Sequence, residues 1–193
     1  MTTETTLVRT LVEPKFDTKN FALAFGASMI IALAAQISVP MFPVPMTLQT
    51  LAISVIGLTF GARLASVTLL MYLAEGAIGL PVFANGGAGI ISLFGPTAGF
   101  LWGFVGMAFL TGWMTENGFS RGTLRLFWAA IIPAALLYVP GVLGLWGFTP
   151  LDLSGAFQAG ALPFLAGDII KSALAVLVVS GSWALLKKTN STK

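Results

Sequence analysis

Residues 163–186 read PFLAGDIIKSALAVLVVSGSWALL, an apolar run interrupted by one acid and one base, Asp168 and Lys171, three residues apart. As a helix it is long enough to cross the ~30 Å hydrocarbon of a bilayer. A charge at the centre of such a helix costs ~3 kcal/mol on insertion scales, and mutual pairing lowers that cost. Positions i and i+3 share one face, so the pair turns together toward the interior of a bundle, near the first turns of the helix. Two roles are open to it: a salt bridge that only joins helices, or the polar part of a ligand site. A carboxylate near a helix N-terminus is also favoured by the dipole and can accept N–H donors from a ligand.

The rest of the chain agrees with a membrane setting. Of 193 residues 56% are hydrophobic and 9% charged, and the mean hydropathy is +0.92. That is too apolar for a soluble domain and leaves no room for a separate aqueous one. We expect a single membrane domain over 1–193: a tail at 1–19, a bundle at 20–186 and a second tail at 187–193. The net charge of +3 comes from scattered cations rather than a basic face, so it marks topology and argues against nucleic acid as a partner. Neither Cys nor His occurs. Thiolate nucleophiles, thiolate metal sites and imidazole acid–base chemistry are thereby excluded, and no enzyme activity, metal or cofactor is expected. The first apolar run is too long for a signal-peptide core and lacks a cleavage site, which makes it an uncleaved first span.

Apolar runs read against breakers predict six helices, at about 21–39, 47–60, 62–80, 97–115, 124–145 and 163–186. Pro40, Pro43 and Pro45 force an extended connection after the first, because proline fixes φ and disfavours helix in the residue before it. The fifth is bent or broken around Pro133, Pro140 and Gly141, and a loop containing Asp152 precedes the sixth. Six crossings place both termini on one side. Arg9, Lys15, Lys19, Arg63, Arg121, Arg125, Lys187, Lys188 and Lys193 then all fall on that side, leaving only Lys171 within the membrane. The positive-inside rule makes that side cytoplasmic. The fold class is therefore an all-α integral membrane protein, a six-helix bundle with cytoplasmic termini in the cell (inner) membrane.

Other polar residues lie near the same external end. Asn85 sits in a glycine-rich loop over 83–89 that permits close backbone approach to a ligand or another segment. Gln49 and Tyr72 interrupt apolar spans and either line the interior or satisfy a neighbouring backbone group. Glu75 has three open roles: facing the cavity, pairing with Lys171 or facing the interface. Gly99, Gly103 and Gly106, and the series Ala24, Ser28, Ala32 on the first helix, are small residues at spacings that allow close helix contact. Two apparent phosphate motifs fail. Gly167 to Ser172 ends like a P-loop but has Ile170 where glycine is required, and Gly87-Ala88-Gly89 follows no strand. Two further classes are an intramembrane enzyme using Asp168 and Glu75, and a transporter acting alone.

Several runs together resemble the BioY family, the biotin-binding S components of energy-coupling-factor transporters: Gln36-Ile37-Ser38-Val39-Pro40, Pro43 to Thr50, Tyr72-Leu73 with Gly76 to Ala84, Gly95 to Phe100, and Leu162-Pro163-Phe164 running into Gly167 to Lys171. The resemblance implies a six-helix protein that binds biotin in a cavity open to the outside, capped by the loops after the first and third helices. It also implies partners, a transmembrane coupling protein and a pair of ABC-type ATPases, with Ala24, Ser28 and Ala32 as candidate contacts to the coupling protein. Biotin offers ureido donors and an acceptor, apolar rings and a carboxylate. Asp168 would accept from a ureido N–H and Lys171 would donate to the ligand, with Asn85 closing over it and Tyr72 and Gln49 lining the pocket.

Overall fold

The computed structural model describes residues 18–120 and 122–190, with side chains as far as Trp183. Arg9, Lys15, Arg121 and Lys193, four of the cations used to orient the chain, lie outside the described residues, as does the tail before Thr18.

Helix occupies most of every expected run, with shifted ends. Helix α1 (Thr18–Gln36) stops before the prolines, and Ser38–Val39 (β1) instead pairs antiparallel with Met46–Thr47 (β2). The proline segment thus forms a small hairpin, a feature too short to show as alternation in the sequence. Helices α2 (Gln49–Phe60) and α3 (Ala62–Ala77) follow with only Gly61 between them. Gly61 adopts φ 80, a left-handed value that suits glycine. Helix α4 (Ala98–Met114) comes after the glycine-rich loop.

The expected fifth helix is two: α5 (Thr123–Leu136) and α6 (Tyr138–Phe148). Leu137 N still bonds Pro133 O at 3.0 Å and Gly141 N bonds Leu137 O at 3.2 Å, so the axis carries on through the junction. The loop expected around Asp152 contains another helix, α7 (Leu153–Gly160). Asp152 caps it, with Oδ1 accepting from Gly155 N at 2.8 Å. Helix α8 (Leu165–Asn190) ends the described chain.

Four helical stretches, Thr18–Gln36, Ala98–Phe119, Thr123–Phe148 and Leu153–Trp183, are long and apolar enough to cross a membrane, whereas α2 is shorter. Exposed Leu33, Trp102, Trp113, Trp128, Trp146 and Leu177 coat the outer surface. In water these would be a large unsatisfied patch; in lipid they match their solvent. The chain is a multi-pass membrane protein.

Helix α4 is central, packed on α2, α3, α5 and α6, while α8 lies against α2 and α5. Its contact with α6 is backbone to backbone. A Cβ at Gly99 would overlap the Pro140 carbonyl oxygen, one at Gly103 would press on Leu137 Cδ1 at 2.7 Å, and one at Gly144 would come within 2.9 Å of Gly99 N. Gly141 leaves the space that the Phe100 ring fills. Gly106 does not share this role, since nothing lies within 4 Å of its Cβ position. On α1, Ala24 and Ser28 are fully buried, so that part of the small-residue series is spent inside the molecule rather than offered to a partner; Ala32 is partly buried against the core.

Gly99→Ala is expected to lower stability by about 1–3 kcal/mol through overpacking, read as a lower thermal midpoint in detergent. Gly106→Ala should not lower the midpoint, because its Cβ position is open and alanine favours helix.

Candidate functional site

Two helix beginnings meet at one end of the bundle. Gln49 and Thr50 open α2, and Asp168 and Lys171 lie in the first turns of α8. Because α2 and α8 pack side by side, the ion pair expected on one helix acquires polar neighbours from another.

The Asp168 carboxylate is the centre. Lys171 Nζ donates to Oδ1 at 2.8 Å and Thr50 Oγ1 donates to the same oxygen at 2.9 Å. Lys171 Nζ also donates to Thr50 Oγ1 at 2.9 Å. The second oxygen, Oδ2, accepts a short hydrogen bond from the Tyr138 hydroxyl. Three donors on one buried carboxylate offset its desolvation far better than the cation alone could. Lys171 uses two of its three N–H donors in this cluster, leaving one for another acceptor.

These groups line a cavity of about 220 Å³. Its walls are Phe83, Phe100, Phe104 and Phe164 with Leu101 and Leu137, its polar end is Asp168, Lys171, Thr50, Tyr138 and Gln49, and Ala84, Asn85 and Gly87 border it from the glycine-rich loop. Aromatic walls with a few convergent polar groups suit a small amphiphilic ligand. The charge of Lys171 is balanced by Asp168, so the site favours hydrogen-bonding polar groups over a bare cation or a highly charged anion.

Of the residues singled out from the sequence, Asp168, Lys171, Gln49 and Asn85 border the cavity. Tyr72 stands behind it, fully buried. Its hydroxyl accepts from Gln49 Nε2 at 2.9 Å and donates to Val82 O at 3.0 Å, while Thr47 Oγ1 donates to Gln49 Oε1 at 2.9 Å. Tyr72 thereby orients Gln49 and the start of the loop. Glu75 takes none of the three roles left open for it. Its Oε1 lies 2.8 Å from Ser28 Oγ, tying α3 to α1, and it is not among the cavity-lining residues. Asp168 and Glu75 therefore do not converge as an acid–base pair. No cluster of three or more His, Cys, Asp or Glu that could hold a metal occurs among the described residues.

Neither Thr50 nor Tyr138 stands out in the sequence. Thr50 closes the run that begins at Pro43, and Tyr138 is one of only two tyrosines, placed between two prolines in an apolar segment. A polar tip there is a usable signal, but its partner 30 residues away shows only in three dimensions.

The BioY family model matches residues 5–188. "Biotin transporter BioY2" of Lactococcus lactis subsp. cremoris is 38% identical over 179 residues, covering 91% of this chain and 96% of that one. "Biotin transporter BioY" of Rhizobium etli is 37% identical over 172 residues, covering 84% and 91%. The crystal structure of an S-component for biotin from an ECF-type ABC transporter superposes with a TM-score of 0.75 at 24% identity, covering 83% of this chain and 88% of that one, a likeness of fold.

Lys171→Met would leave a buried carboxylate without its cation and is expected to cost about 2 kcal/mol. Thermal unfolding in detergent should show part of that loss recovered when Asp168→Asn is added, since no charge is then stranded.

Proposed function

The chain belongs to the BioY family, and from that premise we propose that it is a biotin-binding membrane subunit that takes up biotin from outside and passes it inward with an energising module. The observation that carries this reading is the cavity that joins the Asp168–Lys171–Thr50–Tyr138 cluster to four phenylalanines. Biotin has the same division: polar ureido and carboxylate ends around an apolar ring system.

Lys171 has one N–H donor left for a ligand carbonyl or carboxylate. Asp168 already holds three donors but, as a carboxylate with about four lone-pair sites, still accepts one more, as from a ureido N–H. Tyr138 and Thr50 hold Asp168 in place, Gln49 presents its amide, and Asn85 closes from the loop. Ser38 Oγ donates to Asn85 Oδ1 at 2.8 Å, which leaves the Asn85 N–H donors for the ligand. Phe100, Phe104 and Phe164 exclude water, strengthening each polar contact.

The six-crossing topology with cytoplasmic termini in the cell membrane belongs to this proposal. Ser28 of α1 meets Glu75 near the end of α3, and Gln36 at the end of α1 meets the loop that follows α3, so both helices end toward that loop and the cavity. Lys19 and Arg63 consequently share one end, away from the cavity, as the positive-inside rule asks of a cytoplasmic face. The proposed partners are a transmembrane coupling protein and ABC-type ATPases. This reading draws on the S-component likeness and on a chain whose phosphate-motif look-alikes fail.

Isothermal calorimetry on the purified chain in detergent tests the ligand. Biotin should bind, and Asp168→Asn and Lys171→Ala should each weaken it at least tenfold, the equivalent of about 1.4 kcal/mol. Unchanged affinity in both variants would reject the pair as ligand contacts.

A further inference from the structure

Gln36 is the last residue of α1, solvent-exposed, and yet every polar atom of its side chain is engaged. Its Nε2 donates to Ala32 O, one turn back, at 3.2 Å and to Phe83 O at 3.1 Å. Its Oε1 accepts from Gly86 N at 2.9 Å. A side-chain amide has two N–H donors and one carbonyl oxygen; here both donors are used and the oxygen has a partner. Water would satisfy an exposed glutamine without fixing its torsions, and holding them costs side-chain entropy. The loop contacts must offset that cost.

Those two loop contacts straddle two residues, Ala84 and Asn85. Between Phe83 O and Gly86 N the backbone passes through Asn85 at φ 57, the one non-glycine residue with positive φ among the described residues. Asn tolerates this conformation better than most side chains, but it still needs outside support. The Gln36 amide supplies it as a neighbouring strand would, one acceptor and one donor to the loop backbone. Ser38 Oγ adds the bond to the Asn85 side chain.

The opposite edge of the loop is tied to α3. Tyr72 OH bonds Val82 O, Gly89 N bonds Gly76 O at 2.7 Å, and the Phe83 ring lies over Gly76, where a Cβ would overlap it. The loop is thus strung between two helices, and the segment held from α1 is the one that carries Ala84, Asn85 and Gly87 to the cavity. Gln36 itself is not among the cavity-lining residues.

We propose that Gln36 is a positioning residue for ligand retention: its amide latches the loop over 83–86 to the end of α1 in the one geometry that places Asn85 at the cavity. A displacement of α1 then draws Asn85 from the ligand. The proposal rests on the biotin-binding reading and adds to it a residue that never touches the ligand.

The test uses the full chain in detergent, with Gln36→Ala, Gln36→Glu, Asn85→Ala and the double variant Gln36→Ala/Asn85→Ala. Gln36→Ala should weaken biotin about tenfold, at a near wild-type thermal midpoint. Gln36→Glu keeps the shape and the acceptor but sets an oxygen against the Phe83 carbonyl, so it should weaken biotin at least as much; a space-filling role would tolerate it. The double variant should bind within about twofold of Asn85→Ala, because the latch acts through that residue. Amide hydrogen exchange without ligand gives a second readout: Gly86 should exchange faster in Gln36→Ala, which removes its acceptor, while Gly89, bonded to Gly76, should not change. Wild-type affinity in Gln36→Ala, a multiplicative loss in the double variant, or unchanged Gly86 exchange would each overturn the latch. Failure of the wild-type chain to bind biotin would instead remove the ligand reading, and Gly86 exchange would still decide the latch.

Discussion

A carboxylate under lipid must be surrounded by donors, and in this molecule that constraint organises one whole end of the bundle. Asp168 is 4% exposed and draws its donors from three helices: Lys171 from its own, Thr50 from α2 and Tyr138 from α6. Each donor is useful only if its helix arrives at the right height and angle. The cluster therefore acts as a geometric specification for the bundle, and its unfilled side is the cavity.

Close packing delivers Tyr138 to that cluster. Gly99 and Gly144 let α4 and α6 touch at backbone level, and the space over Gly141 seats the Phe100 ring. Pro133 and Pro140 remove two N–H donors from the helical ladder, yet the bonds from Leu137 N and Gly141 N keep the direction of the chain. The same few residues thus place both an aromatic wall and a hydroxyl. The glycine-rich loop closes the arrangement, held by Tyr72 and Gly76 on one edge and by Gln36 on the other.

Much of the helical layout was legible because lipid imposes a simple rule: backbone polar groups must be satisfied within the segment, so apolar runs become helices. Departures occur where local bonding competes. Ser38–Val39 leaves the helix for a hairpin, and Asp152 starts a helix by capping it in what reads as a loop. Within the site, Asp168 and Lys171 stood out because charge in an apolar run is costly, whereas Thr50 and Tyr138 did not, because hydroxyls are tolerated almost anywhere. The small-residue face of α1 was visible, but which surface it meets was not; Ser28 turns inward to Glu75.

By itself the sequence determined a membrane protein of apolar helices with one paired charge on a single helix face, because composition, periodicity and the cost of charge in hydrocarbon act within one segment. Only the tertiary structure decided that Tyr138 reaches Asp168 across 30 positions, that Tyr72 supports Gln49 from behind, and that Gln36 holds the loop bearing Asn85. Those contacts depend on the height and rotation of one helix against another, set by packing of small residues and side chains that no single segment contains.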